Sequence, residues 1–285
     1  MTLDRRLHAY RPDLADARLE GRVEATRFVA GRPAVVTAPV ADMRRAPRPD
    51  AGLDTQLLLG DAVDVFDEME GWAWVQSRRD GYVGHVPMAA IGAPAAPATH
   101  VVSVPRTFTY PGPDMKLPHG GVLSMGSAVT VSTQAETRGT LYAQLATGEH
   151  VVLSHLIAIG DHAVDYVSVA ETLENTPYLW GGVSGFGVDC SGLVQIAMHM
   201  AGMKAPRDSD MQATGLGTPV EPGADFAELR RGDLVFWKGH VAIVTDPATI
   251  LHANGHTMLV SREWLADAVA RIGYLYGQPT GFRRP

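Results

Sequence analysis

The first half of the chain is a tandem repeat. Residues 35–92 and 101–160 resemble each other at a nearly constant offset. "VVTAPV" from Val35 matches "VVSVPR" from Val101, and "GDAVDV" from Gly60 matches "GSAVTV" from Gly126, each 66 residues on. "WVQ" at Trp74 matches "YAQ" at Tyr142, and "AAIG" at Ala89 matches "IAIG" at Ile157, each 68 residues on. Two residues are therefore inserted between the third and fourth strands of the second copy. Within a copy, short alternating apolar runs such as Val63, Val65 and Trp72, Trp74 are separated by turn residues. That is the pattern of a small antiparallel barrel. The Trp72/Trp74 alternation requires one indole of the pair inside. With 30 glycines and 19 prolines in 285 residues, short strands and turns are favoured over long helices.

The order "G-x-x-V-x-V … GWAWVQ … GYVGHV" resembles bacterial SH3-like domains, with "GYVGHVP" as the closing strand. Residues 33–92 are read as a first SH3-like barrel and 100–161 as a second, more degenerate one. "GAPAAPATH" (92–100) joins them; its Ala and Pro restrict the linker without giving it a core. Residues 1–32 are read as a charged helical lead-in.

Charge and cysteine usage narrow the function classes. The net charge of −7 argues against nucleic-acid binding, which needs a basic face to displace counterions, and suits a cationic or amine-bearing ligand. A single cysteine forms no intrachain disulfide, so no oxidising compartment is implied. No apolar stretch follows Arg5-Arg6, so no signal peptide is expected. No apolar run approaches the roughly 20 residues that span a bilayer. The expected location is the cytoplasm, with no membrane, nucleic-acid or obligate protein partner and no cofactor.

From about residue 163 the pattern changes. "VDYVSVAETLENT" has apolar residues at helical spacing (Val164, Val167, Val169, Leu173) and stops before Pro177. A glycine-rich loop, "YLWGGVSGFGVD", leads into "CSGLVQIAMHMAGMKAP". There Leu193, Ile196, Ala197, Met200 and Ala201 make one apolar face. Gly202 stands where a C-cap is expected, and Pro206 forbids continuation. Asp189 or Ser191 can cap the start. Cys190 is thus placed at the first turn of a buried helix, where free N–H groups and the macrodipole favour an anion. A thiol there is expected to ionise below its free value of about 8.5. Against this stands the structural reading, since free cysteine is among the most buried residue types. A base is needed to decide between them.

"RRGDLVFWKGHVAIVTDPATILHANGHTMLV" supplies one. It reads as strands at Leu234–Trp237, His240–Val244 and Ile250–His252, with turns at Lys238-Gly239 and Asp246–Thr249. Two-residue alternation puts His240, Ala242 and Val244 on one face. A hairpin centred near Asp246 or Pro247 sets His252 opposite or diagonal to His240 on that face. His240 could then take the thiol proton while His252 orients it and selects its tautomer. The rival reading is a zinc site built from Cys190, His240 and His252, but the spacing matches no short zinc motif.

The ordered motifs "TPYLWGG … VDCSGLVQ … RRGDLVFW … GHVAIV … ILHANG" resemble the NlpC superfamily of papain-like cysteine peptidases, which cleave peptidoglycan peptides. The match covers about 165–285. The fold implied is α+β: a circularly permuted papain-like catalytic domain (163–285) preceded by two small SH3-like β-barrels. With those barrels in front, the chain resembles the γ-D-glutamyl-L-diamino acid endopeptidases of murein-peptide recycling. The resemblance implies that Cys190 attacks the carbonyl of D-Glu, that His240 is the base and His252 the orienter, and that the Tyr178 hydroxyl helps to hold the oxyanion. It implies groove residues Trp180, Asp189, Ser191, Asp208 and Ser209. It further implies that the first barrel closes one end of the groove through Tyr82 and an acidic residue, for which Asp42 is the candidate, so that a free amino group on L-Ala is required. The substrate class implied is a small free murein peptide carrying diaminopimelate or lysine. Two other readings are a lipid-directed thiol acyltransferase on the same core and a non-catalytic wall-binding protein. The tail "GYLYGQPTGFRRP" lacks the apolar anchor wanted by the first, and the second has no need for Cys190, His240 and His252 together.

Overall fold

The computed structural model describes residues 3–94 and 96–285. The chain divides into two compact parts at residues 159/160. The N-terminal part holds both barrels. The C-terminal part is the mixed α+β domain that carries the motifs.

In the first barrel, seven strands form one antiparallel sheet. Their order is Leu53–Leu58, Val40–Arg44, Val83–Pro87, Trp72–Ser77, Ala62–Met69, Arg32–Val36 and Ile91–Gly92. Alternation fills its interior with Val63, Val65, Ala73, Val75 and Val86. Trp72 and Trp74 share the face opposite Ala73 and Val75, so neither indole is in the barrel interior, and that expectation is corrected; Trp74 is buried on the outer face, packed with Ala9, Leu14 and Phe66, while Trp72 stays partly open.

The lead-in is not helical. Among the described residues before Arg32 there is only a single 3-10 turn, Ala17–Leu19, between two-residue strands Ala15–Asp16 and Phe28–Val29. Its apolar residues lack helical spacing, and Pro12 and Gly21 interrupt it. The segment instead wraps the barrel. Ala9 and Leu14 pack with Phe66 and Trp74, Arg11 lies over the Trp74 ring at 4.4 Å, and the Val83 N–H donates to the Arg6 carbonyl at 2.8 Å.

The second barrel is built from three smaller sheets. Where the first copy has one continuous strand at Ala62–Met69, the second breaks it into Ala128–Val129 and Val131–Thr137. Its core is Val102, Leu123, Val129, Ala143, Leu145, Val151 and Leu156, with Leu59 of the first barrel packed against it. The two barrels also meet through the Ala128 N–H, which donates to the Leu59 carbonyl at 2.8 Å. Gly60 (φ +86°) permits this approach, because a Cβ there would lie 2.5 Å from the Ala128 oxygen.

The C-terminal domain has four helices: α1 (Tyr166–Thr172), α2 (Cys190–Met200), α3 (Ser209–Gly215) and α4 (Leu265–Tyr276). Its main sheet has six strands: β1 (Thr218–Pro219), β2 (Leu234–Trp237), β3 (His240–Asp246), β4 (Thr249–Asn254), β5 (Leu259–Trp264) and β6 (Gly281–Arg284). They are antiparallel neighbours in the order β1-β6-β2-β3-β4-β5. Helix α2 packs against β3 and β4. Helix α4 covers one sheet face with Leu265, Ala268 and Ile272 against Val235, Trp237, Ala242, Val244 and Ile250. Burying these side chains contributes about 1.5–3 kcal/mol for each large one. Among the described residues no helix is long and apolar enough to cross a membrane.

Candidate active site

Helix α2 begins at Cys190. Asp189 is its N-cap, accepting from the Gly192 N–H at 2.7 Å. Gly202, at φ +73°, follows the last turn. The glycine of Asp-Cys-Ser-Gly has a steric reason. A Cβ on Gly192 would stand 2.1 Å from the Gly182 carbonyl oxygen, so only glycine lets the helix start against the preceding loop.

The Asp189 carboxylate is fully engaged. Oδ1 accepts from Gly192 N–H, from Arg207 Nη1 at 3.0 Å and from Ser191 Oγ at 3.2 Å. Oδ2 accepts from the Gly181 N–H at 2.9 Å and from Arg207 Nη2 at 2.6 Å. Arg207 is 1% exposed and also donates to Ser191 Oγ at 2.9 Å. Gln212 ties the same turn to α3 by donating to the carbonyls of Ser191 and Pro206. Asp189 therefore meets its counter-charge in Arg207. Its carboxylate and the Ser191 hydroxyl hold the nucleophile's turn. Arg207 is the residue that sequence reasoning missed. It stands in "PRDS" beside Asp208 and Ser209, and nothing in that pattern separates a buried arginine from an exposed one.

Cys190 as a residue is 8% exposed. Burial pushes its thiol up to about 12; the Asp189 charge adds to this, and the Val241 N–H, Arg207 and the Ser191 N–H oppose it. The expectation of a thiol ionised below its free value is thus overturned. Desolvation of a thiolate outweighs the helix N-terminus. Val241 directly follows His240, so the contact brings the start of β3 to the sulfur.

His240 and His252 adjoin as the alternation requires. Ile243 pairs with Leu251 and Val244 with Ile250. Continued, this register sets Ala242 opposite His252 and leaves His240 on the diagonal. Nε2 of His240 and Nδ1 of His252 are 2.9 Å apart, with the rings edge to face at 5.1 Å. Burial pushes His240 well below the ordinary imidazole value; His252 and Arg271 add to this and Glu263 opposes it. A lone imidazolium is therefore as unfavourable here as a lone thiolate, and the resting pair is neutral. Proton transfer from Sγ to His240 creates both charges at once, each compensating the other.

Tyr178 enters from the loop before α2, where its N–H donates to the Met258 carbonyl at 2.8 Å. Burial raises its phenol, and the Cys190 and Asp189 charges raise it further. It stays protonated and is a donor within electrostatic reach of the sulfur. Trp180 is exposed on the same loop. Asp208 precedes α3 and Ser209 begins it, both partly exposed. Tyr82 and Asp42 lie in the N-terminal part. Tyr82 is buried. Asp42 accepts from Arg44 at 2.8 Å and from Gln56 at 3.1 Å. Among the described residues no three His, Cys, Asp or Glu side chains cluster as metal ligands.

Residues 175–269 match the NlpC/P60 family. Residues 43–91 match the bacterial dipeptidyl-peptidase SH3 domain. A Lysinibacillus sphaericus dipeptidyl-peptidase 6 is 27% identical over 85% of this chain and 99% of its own length. A γ-D-glutamyl-L-lysine dipeptidyl-peptidase of Bacillus subtilis (strain 168) is 28% identical over 72% of this chain and 73% of its own. The crystal structure of an NlpC/P60 family protein from Bacillus cereus ATCC 10987 superposes with a TM-score of 0.72, covering 89% of this chain and 99% of that one at 23% identity. That likeness is one of fold. A helix-borne thiol, two bonded imidazoles, and matches on both sides of the 159/160 division converge on one assignment: the chain is a cysteine peptidase whose catalytic domain is an NlpC/P60 domain, preceded by an SH3-like N-terminal region.

Proposed function

We propose that the enzyme hydrolyses the γ-D-glutamyl–L-diamino acid bond of small free murein peptides bearing an unblocked L-Ala, as a cytoplasmic step in wall-peptide recycling. The observation that carries the chemistry is the buried Cys190 thiol at the Val241 N–H, one residue past His240, together with a His240–His252 pair bonded at 2.9 Å. The relatives named for γ-D-glutamyl-L-lysine dipeptidyl-peptidase activity support the bond and the dipeptide unit.

Cys190 Sγ attacks the D-Glu side-chain carbonyl while its proton passes to His240. The carbonyl π pair moves to oxygen, giving an oxyanion. Coupling the two events avoids a lone buried thiolate. The Cys190 N–H, at the first turn and so without an intrahelical acceptor, and the Tyr178 hydroxyl receive the oxyanion. Collapse expels the diamino acid's nitrogen, which takes the proton back from His240. Water, activated by His240, then attacks the thioester, releases the dipeptide and returns the proton to sulfur. Asp208, Ser209 and Trp180 line the groove. The peptide is the only partner; no cofactor, nucleic acid or membrane takes part.

The test is mass-spectrometric analysis of L-Ala-γ-D-Glu-diaminopimelate, its lysine counterpart and their N-acetyl forms, each incubated with the protein, beside purified sacculi. Cleavage of the free peptides between D-Glu and the diamino acid, with poor cleavage of the acetylated forms, is expected. Equal cleavage of free and acetylated peptides, or fragments released from sacculi, would instead make this a hydrolase of intact wall.

A further inference from the structure

Behind the two histidines lies a carboxylate that the proposed chemistry leaves without a role. Nε2 of His252 is fully buried and makes no well-aligned hydrogen bond. Glu263 Oε2 faces it at 3.2 Å. Glu263 stands on β5, where it pairs with Ile250 while Ser261 pairs with His252. Alternation thus sets it diagonal to His252, as His252 is to His240. Arg271 of α4 anchors it, Nε donating to Oε1 at 2.9 Å. Although burial raises the Glu263 carboxyl, His252 and Arg271 hold it down at about 2. It is therefore ionised at any working pH.

We propose that Glu263 is a positioning residue that sets the tautomers of both histidines. The inference rests on the reading of His240 as the base. An ionised carboxylate repels a bare lone pair, so His252 carries its proton on Nε2. Its Nδ1 is then an acceptor, and His240 Nε2–H donates to it. That leaves His240 Nδ1 without a proton, the one ring nitrogen able to take the thiol's. Without the carboxylate, His252 can hold its proton on Nδ1 and donate to His240 Nε2. The proton of His240 is then forced onto Nδ1, and the base is disabled. Among the described residues, the charged groups acting on the histidine pair are Glu263 on β5 and Arg271 on α4, and Cys190 of α2 lies at the Val241 N–H next to His240. Of the two charged groups, Glu263 favours the imidazolium and Arg271 disfavours it.

The test uses the full chain with Glu263→Gln and Glu263→Asp. Nitrogen-15 ring correlations without substrate should place the protons of wild-type His252 and His240 both on Nε2, and should show mixed tautomers in Glu263→Gln. With peptide, Glu263→Gln should lower kcat about ten- to a hundredfold at little changed KM. It should also move the acid limb of the pH profile to lower pH, because the carboxylate that raises His240 is gone. Glu263→Asp should recover most of both. Unchanged tautomers in Glu263→Gln, or a loss of activity with no shift of the acid limb and no recovery in Glu263→Asp, would overturn the assignment. The ring spectra need no substrate. Failure to cleave murein peptides therefore tells against the proposed function alone, and unaltered tautomers tell against this inference alone.

Discussion

Two arginine–carboxylate pairs flank the reaction centre, and they differ in what the carboxylate has left to give. Asp189 and Arg207 are 11% and 1% exposed at the side chain. Every Asp189 oxygen is shared among backbone N–H groups, Ser191 and the guanidinium. Glu263 and Arg271 are 20% and 26% exposed, and one Glu263 oxygen is turned to an imidazole. The first pair spends its charge on the shape of a turn. The second directs part of its charge at a proton. The same two functional groups thus yield a structural clamp where the carboxylate is saturated and an electrostatic lever where it is not.

Both networks converge on Cys190, so the largest effect belongs to it. Cys190→Ala should reduce hydrolysis to background while the fold persists, measured by peptide turnover and thermal denaturation. Activity retained there would remove the centre around which the two pairs are compared. Loss of wild-type activity to a chelator and its return with zinc would favour the metal reading instead.

The clamp is next. Arg207→Met leaves the Asp189 charge buried and unpaired, at a cost of about 3–5 kcal/mol, read from denaturant midpoints. Arg207→Lys should recover little, because an ammonium cannot reproduce the two-pronged contact. Arg271→Met should cost less than Arg207→Met, because the Glu263–Arg271 pair keeps 20% and 26% of its side chains in water. Equal losses from the two arginines would erase the distinction drawn above.

The neutral resting pair gives the smaller, pH-dependent effects. Iodoacetamide should modify Cys190 at pH 8 more slowly than it modifies free cysteine, with the rate still rising at pH 10 and the ordinary thiol rate restored by denaturant. A plateau reached by pH 6 would mean a preformed thiolate. For stability the sign follows from proton counting. The folded His240 is held below the unfolded value of about 6.5, so below that pH the unfolded chain binds the extra proton. Stability is therefore full above this value and is lost as pH falls through it. His240→Ala should flatten that part of the curve.

Much of this was legible before any coordinates. The repeat announced two small barrels, but the alternation of Trp72 and Trp74 put both on the outer face, and only the lead-in covers Trp74. The placement of His252 on the face of His240, opposite or diagonal to it, followed from a two-residue side-chain period and the length of one hairpin, and the register made it diagonal. The lead-in was misread because its charged residues suit a helix locally, whereas Ala9 and Leu14 had a better partner in Phe66 and Trp74. Local propensity carries no information about such a distant surface.

The sequence by itself determined the chemistry that is local in the chain: a thiol at a helix start, capped by its neighbour, and two imidazoles set by strand pairing. These depend on separations of a few residues and on fixed backbone periods. Only the tertiary structure decided how that chemistry is charged. Arg207 reaches Asp189 across 18 positions, Glu263 meets His252 from the next strand, and Arg271 arrives from a helix beyond it. The thiol's protonation depends on how thoroughly all of these exclude water. Desolvation is a property of the whole packed surroundings, so it turned an expected thiolate into a buried thiol that no motif could have revealed.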